Sequence, residues 1–155
     1  MLRMSRMTDY GTVVLATLAG RPDTVHSASE LVDATGLNEP TVRKILKTLT
    51  KANLVVSFRG PQGGYALNGE ATSISAARIL DALEGPVALT ECSAAEGNCQ
   101  IQSCCTVGRS WQLINHRIRV ALEDVSLAQL VAGGPVEGNP IELDFSIPQT
   151  LRDAH

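Results

Sequence analysis

Apolar residues recur at helical spacing along the first fifty positions, and then the period changes. In residues 4–19 Met4, Met7, Val14 and Leu18 return about once per turn, and Gly20 is placed to end the helix this predicts. Gly11 and the Val13-Val14 pair lower its intrinsic propensity slightly. A second, short helix is predicted to open at Ser27, because Ser27-Ala28-Ser29-Glu30 has the form of a capping box; Gly36 closes it. Leu37-Asn38-Glu39 reads as a tight link. Pro40 then starts a third helix, where its missing N–H costs nothing, and residue 39, preceding proline, suits the cap position. Over 40–52 Val42, Ile45, Leu46 and Leu49 repeat at i, i+3, i+4 and i+7, with Thr41, Arg43, Lys44, Lys47, Thr48 and Lys51 mostly on the other side.

The period then shortens to two. Leu54, Val56 and Phe58 alternate, as do Tyr65 and Leu67, and Arg59-Gly60-Pro61-Gln62-Gly63-Gly64 between them predicts a β-hairpin with a glycine-rich tip. Helical spacing returns at 75–83 and stops at Gly85-Pro86, and residues 87–108 show no convincing period. Residues 109–125 predict a long helix in which Trp111, Ile114, Ile118, Ala121 and Val125 alternate steps of three and four, the spacing of a coiled-coil seam. Ser126 is placed to cap a short last helix at 127–132. The tail, 135–155, holds three prolines without a sustained period and is expected to be mobile. No internal repeat is visible.

The predicted fold is mainly α with a small β-hairpin wing: a winged helix-turn-helix followed by a long C-terminal dimerisation helix. It divides into a DNA-binding domain at 1–86, a cysteine loop at 87–108, the dimerisation helix with the short final helix at 109–133, and the tail at 134–155. In this order of parts each has a physical task. The third helix buries Val42, Ile45, Leu46 and Leu49 while its other face enters the major groove. Asn38, Glu39, Thr41, Arg43, Lys44 and Lys47 are the candidate DNA-facing residues there. Arg59, Gly60 and Gln62 are the candidates at the wing tip, where glycine lets backbone approach a phosphate or a narrow minor groove. A basic helix face is by itself usually just a solvated face, and glycine pairs are ordinary turn residues. The ordered conjunction is what points to double-stranded DNA.

Charge changes the picture in the same direction. The 155-residue chain has a net charge of −3, but residues 1–60 carry eight Lys/Arg against five acids while residues 61–155 carry five against eleven. A basic half suits phosphate, and an acidic half is free for dimerisation and sensing. Aromatic residues make up only 3%, which argues against a stacking platform for single strands. The N-terminus has no apolar run of the signal-peptide kind, and no stretch is long enough to span a bilayer, so a cytoplasmic protein with no membrane partner is expected. No nucleophile–base pair or phosphate loop suggests an enzyme; the glycines at 60–64 do not form a P-loop.

These motifs resemble the Rrf2 family of bacterial transcription regulators, which includes the cluster-sensing IscR and NsrR types. The matching stretches are Met4-Ser5-Arg6-Met7-Thr8-Asp9-Tyr10, Arg59-Gly60-Pro61-Gln62-Gly63-Gly64-Tyr65, Ile79-Leu80-Asp81-Ala82-Leu83-Glu84-Gly85, the cysteine loop and Trp111. The likeness covers about residues 1–133, and the wing segment is its most specific piece. Within the family the chain looks most like the regulators of the SUF cluster-assembly system. The resemblance implies a homodimer on a pseudo-palindromic operator, each long helix packing against its mate.

All four cysteines fall at Cys92, Cys99, Cys104 and Cys105, a clustering that in a cytosolic chain suggests metal or redox chemistry more than structural disulfides. Thiolates suit iron–sulfur clusters and zinc. Adjacent side chains tend to diverge, so Cys104 and Cys105 are not both expected on one centre, leaving three loop ligands and one open position. The resemblance points to Cys92, Cys99 and Cys105 as ligands of an iron–sulfur cluster, 2Fe–2S or 4Fe–4S. The family's usual gap is five residues; here the first gap is six and the second, counted to Cys105, is five. Some members use a histidine where this chain has Gly108. Others use an acidic residue of the first helix donated by the partner subunit, the place of Asp9. Asp9 therefore ranks first as fourth ligand, Cys104 next, and His116 last. Zinc, or a cluster-free disulfide switch between Cys104 or Cys105 and Cys99, are the competing readings of the loop. His26, in a linker, and His155 are expected to be exposed bystanders.

The functional expectation is a cluster-sensing repressor of iron–sulfur cluster assembly genes. A nitric-oxide or redox sensor of the same family, and an iron–sulfur carrier or protein-binding adaptor without DNA binding, are the alternatives.

Overall fold

A computed structural model describes residues 4–93 and 105–133. The first helix, α1, runs Arg6–Ala19 and begins where the Ser5 hydroxyl accepts the Met7 N–H at 3.1 Å. Met4 therefore lies outside the helix and is exposed, whereas Val14, Leu15 and Leu18 are buried. The interior glycine of α1 has a packing reason: a Cβ at Gly11 would sit 2.5 Å from Cδ1 of Leu83. α2, Ala28–Thr35, has the expected capping box, with Ser27 N–H donating to Glu30 at 2.6 Å and Glu30 N–H to Ser27 Oγ at 3.2 Å. It ends at Gly36 with φ +68°, a left-handed conformation that glycine adopts without strain.

α3 runs Glu39–Lys51, one residue longer at its start than the proline alone suggests. Its cap is Asn38, whose Oδ1 accepts the Thr41 N–H at 2.9 Å. Asparagine caps better than glutamate, and proline fits the first turn at either of its early positions, so the cap falls at 38 and not 39. Val42, Ile45, Leu46 and Leu49 are all fully buried, as their spacing requires.

The hairpin pairs β1, Val55–Phe58, with β2, Gly64–Leu67, antiparallel, in the register Val55↔Leu67 and Phe58↔Gly64. The alternation of Leu54, Val56 and Phe58 does not set its buried face. Asn53, at φ +56°, turns the chain out of α3 so that Leu54 N–H reaches Leu49 O at 3.0 Å. Leu54 and Val55 are both buried, and Phe58 is 49% exposed. On its other side β2 is bridged to the α1–α2 link: His26 N–H donates to Tyr65 O at 2.9 Å and Tyr65 N–H to His26 O at 2.8 Å.

α4, Ala76–Leu83, is capped by Ser75, and α5 spans Gly108–Glu123 without a side-chain cap. α6, Leu127–Ala132, has a second capping box from Ser126 and Gln129 and ends at Gly133 with φ +61°. The link into α6 is tied back to the start of α4, through Ala76 N–H to Val125 O and Leu127 N–H to Ile74 O, each 2.7 Å. Leu127 is fully buried in the same core as Val14, Leu15 and Ile45. Such burial stabilises by about 1.5–3 kcal/mol. The core is thus one cluster built around α1, which touches α2, α3, α4, α6 and β2. Among the described residues no helix is long and apolar enough to cross a membrane. The tail expected to be mobile lies outside the described residues.

Candidate nucleic-acid interface and cysteine loop

The outward face of α3 presents Asn38, Glu39, Arg43, Lys44 and Lys47 to solvent, with Thr41 half-buried. Arg43 does not stand free. Its Nε and Nη2 donate to Glu39 Oε1 at 2.8 and 2.6 Å, an exposed i,i+4 pair. A pair of this kind stabilises a helix by only about 0.2–0.5 kcal/mol, so a DNA phosphate can displace it. Asn38 uses its carbonyl oxygen for the cap and keeps its amide N–H groups for a partner. Lys44 and Lys47 make no ion pair among the described residues.

At the wing, Arg59, Gly60 and Gln62 are exposed. Gly60 has φ +107°, and its carbonyl accepts the Gly63 N–H at 2.9 Å, which closes the tip. The base of the wing is fixed by the His26–Tyr65 bridge. His26 is consequently 6% exposed, with Nε2 buried and unpartnered, and the expectation of an exposed bystander is wrong for it. Between the wing, α3 and the start of α2 lies a cavity of about 470 Å³, whose lining includes Ser29, Arg43, Ser57 and Arg59.

Of the cysteine loop, Cys92 lies in a short turn, Glu91–Ser93, that packs against α5, and its side chain is outside the described residues. Cys99 and Cys104 also lie outside them. Cys105 is a free, half-buried thiol three residues before α5. A Cβ at Gly108 would lie 3.6 Å from its Sγ, so the first residue of α5 borders the thiol directly. Leu89 N–H donates to Asn115 Oδ1 at 3.1 Å, which holds the incoming strand of the loop to α5. Both ends of the loop thus meet the first half of one helix. Among the described residues no three His, Cys, Asp or Glu side chains converge. His116 is exposed on α5.

Asp9 is exposed on α1, well away in sequence from the loop, and lines an apolar groove of about 680 Å³ between α1, α4 and α6. Beside it Glu84 accepts the Ser5 N–H at 3.0 Å and the Thr8 hydroxyl, tying α1 to the end of α4. The bonds from Ser5 and then Thr8 hold the Glu84 carboxyl below its ordinary value. No residue of α5 is buried in the chain. Trp111 and Ile114 are 41% and 42% exposed, Ile118 is half-buried and Ala121 exposed, while Leu113 and Val120 add further exposed apolar surface. α5 ends at Glu123, so Val125, the last member of the expected seam, lies beyond it and lines the groove. Sequence spacing also missed the tie between α5 and α4. Arg119 donates to both oxygens of Asp81 at 3.0 and 2.7 Å and pairs with Glu123, and Asp81 in particular raises the pKa of its guanidinium.

Comparison with known proteins agrees with this architecture. Residues 4–133 match the Rrf2 family, described as iron-dependent transcriptional regulators. The transcriptional regulator IscR of Yersinia pestis is 31% identical over 103 residues, 66% of this chain and 62% of its own length. IscR of Vibrio vulnificus is 30% identical over 108 residues, 70% of this chain and 64% of its own. The chain therefore spans less than two thirds of the length of these relatives. Among solved structures, CymR, the global cysteine regulator of B. subtilis, superposes with a TM-score of 0.66 at 26% identity, covering 87% of this chain and all of CymR. IscR of T. potens gives 0.63 at 26% identity over 84% of this chain and 87% of its own. These relatives are transcription regulators and not enzymes.

Proposed function

The chain belongs to the Rrf2 family of DNA-binding transcriptional regulators, and from that premise we propose that it is a homodimeric, iron–sulfur-cluster-responsive repressor of cluster-assembly genes, acting in the cytoplasm. The observation that carries the reading is the anchoring of both ends of the cysteine loop on α5. α5 is in turn clamped to α4 through Arg119 and Asp81. Cys92, Cys99 and Cys105 are the loop ligands in this reading, with Cys104 the weaker candidate. The thiol set suits a soft metal centre. Seating the apolar face of one α5 (Trp111, Ile114, Ile118) on the other protomer would cover surface that is exposed in a single chain. Asp9 lines the groove that also contains Leu122 of α5 and Val125, and is the proposed fourth ligand, donated across the dimer. A cluster held by Cys92, Cys99 and Cys105 would supply oxidant-sensitive iron–sulfur chemistry. The residues of α5 and α4 then pass a change at the loop to α3, whose separation from its mate must match one turn of DNA, about 34–36 Å.

Anaerobic purification with iron, sulfide and visible absorption measurements tests the loop. Ala at Cys92, Cys99 or Cys105 should each abolish the absorption, Cys104→Ala should keep most of it, and Asp9→Ala should leave a cluster that is lost faster in air. Loss with Cys104→Ala but not with Cys105→Ala would shift the assignment by one residue. Arg59→Ala should weaken operator binding, with a smaller effect at high salt if the contact is to phosphate. A second reading, a cluster-free thiol sensor, is favoured by the likeness to CymR and by the free Cys105 thiol. Protein without iron or sulfide whose DNA affinity changes on mild oxidation would select it.

A further inference from the structure

Three large apolar side chains that stand open, Met4, Val13 and Leu130 at 50%, 45% and 43% exposure, line one groove of about 680 Å³ between α1, α4 and α6. The buried Ile79 and Leu80 of α4 lie among them. The threonine hydroxyls of its wall are already spent: Thr8 donates to Glu84, and Thr12 to Thr8 O at 2.8 Å. Asp9 is its only charged lining group. An occupant that fits is therefore apolar and makes few hydrogen bonds. None of Trp111, Ile114 and Ile118, the face proposed to meet the partner, lines it.

The chain beyond the described fold starts at the edge of this groove. Leu130 lines it, α6 ends at Ala132, and Gly133 turns the chain with φ +61°. Residues 134–155 follow, and within them Ile141, Leu143, Phe145 and Ile147 alternate with Glu142, Asp144 and Ser146, with Pro140 and Pro148 at either end of the run. Steps of two scatter apolar residues around a helix but gather them on one side of an extended chain. A residue before proline, as Ile147 is, favours extended backbone. Such a run presents its apolar side chains on one side and both carboxylates on the other, away from Asp9. From Ile141 to Ile147 an extended chain spans about 20 Å. The α1 wall from Thr8 to Ala16 spans about 12 Å at the helical rise, and Met4 lengthens it. The link from Gly133 to Ile141 reaches up to about 26–29 Å, more than the length of that wall.

We propose that residues 141–147 of the same chain seat in this groove as an extended segment, laying Ile141, Leu143, Phe145 and Ile147 against Met4, Val13 and Leu130. The seat ties the end of the chain across α6 to α1, beside Asp9. It rests on neither the cluster reading nor the DNA-binding reading.

Photocross-linking of the full-length protein tests it. With the photoreactive change Phe145→p-benzoylphenylalanine, irradiation should give a product of single-chain mass on a denaturing gel, and peptide mapping should place the link on Met4, Val13 or Leu130. Adding Val13→Asp puts an unpaired carboxylate in the apolar seat and should lower that yield by about tenfold or more. A product of two-chain mass would hand the groove to a second copy and overturn the seat, as would links confined to residues outside the groove or no link at all. Phe145→Ser supplies a measurement independent of the Val13 variant, because position 145 lies outside the described fold. Amide exchange in α6 should become several-fold faster than in wild type once the segment that covers Leu130 is weakened. Equal exchange rates in the two proteins would overturn the seat.

Discussion

Replacing Gly64 by alanine tests whether the wing is held by contact geometry. The new Cβ would lie 2.4 Å from His26 O, 2.7 Å from His26 C and 2.9 Å from Val25 Cγ1. Two of these are backbone atoms, so no side-chain rotation relieves the overlap. Restoring even a tight 3.0 Å contact needs the two strands to part by about 0.6 Å. The bonds that join them, 2.9 and 2.8 Å, would stretch to the limit of hydrogen bonding. Losing both costs about 1–3 kcal/mol. Alanine returns about 0.4–1 kcal/mol by restricting the unfolded chain. The net expectation is a destabilisation of about 1–2 kcal/mol, read as a lower urea midpoint at unchanged slope. Gly64 is not at a positive φ, so backbone strain contributes nothing and the effect is steric. Operator affinity should fall as well, under conditions where the variant is fully folded, because the wing tip is no longer set against α3. A midpoint within about 0.5 kcal/mol of wild type, the scatter of neutral substitutions, would refute the reasoning.

Three further changes probe other parts of the argument. Leu46→Ala removes a fully buried side chain from the middle of α3 and should cost about 2–5 kcal/mol in chemical denaturation; a smaller loss would mean that the core collapses around the gap. Glu84 has a carboxyl held below its ordinary 4.5 in the folded protein. Its bonds to Ser5 and Thr8 therefore stabilise fully above that value and fade as pH falls through the lower folded one. Glu84→Gln should flatten this acid limb of a stability–pH curve, and parallel curves for both proteins would remove the clamp. Ile118→Glu places a charge on the exposed apolar face of α5 and should weaken a dimer by roughly 2–4 kcal/mol, by analogy with an unpaired buried charge. Light scattering that still finds a dimer at micromolar concentration would place the interface elsewhere.

The helices were legible because their signals are local. Ser27 with Glu30, Gly36 and Ser126 fix helix ends through bonds spanning three or four residues, and any such bond is visible in the sequence. The buried stripe of α3 follows from its spacing alone. What failed needed the third dimension. Leu54 and Val55 are both buried because Asn53 adopts a left-handed conformation, and no alternation rule anticipates that. His26 reads as a linker residue until β2 is seen to pair with it. Asp81 and Arg119 are 38 residues apart, and a pair at that separation leaves no periodic trace. Within the cysteine loop, the sequence supplied the spacing, and the structure adds how the ends at Leu89, Glu91 and Cys105 meet α5.

The return of α6 to the core has a consequence for the order in which this molecule can be made. Leu127 is fully buried in the core that α1 and α3 share, packed through α6 on α1, although more than seventy residues separate it from the end of α3. A nascent chain that has emitted only the helix-turn-helix and the wing therefore has its core open on the side that α6 will close. Contacts of such long separation form late, since the loop between them must first be closed. The cysteine segment lies wholly inside that loop. Synthesis thus delivers all four thiols before the DNA-reading half acquires its last buried residue, and a truncated chain ending before Ser126 would present an incompletely closed core to chaperones and proteases.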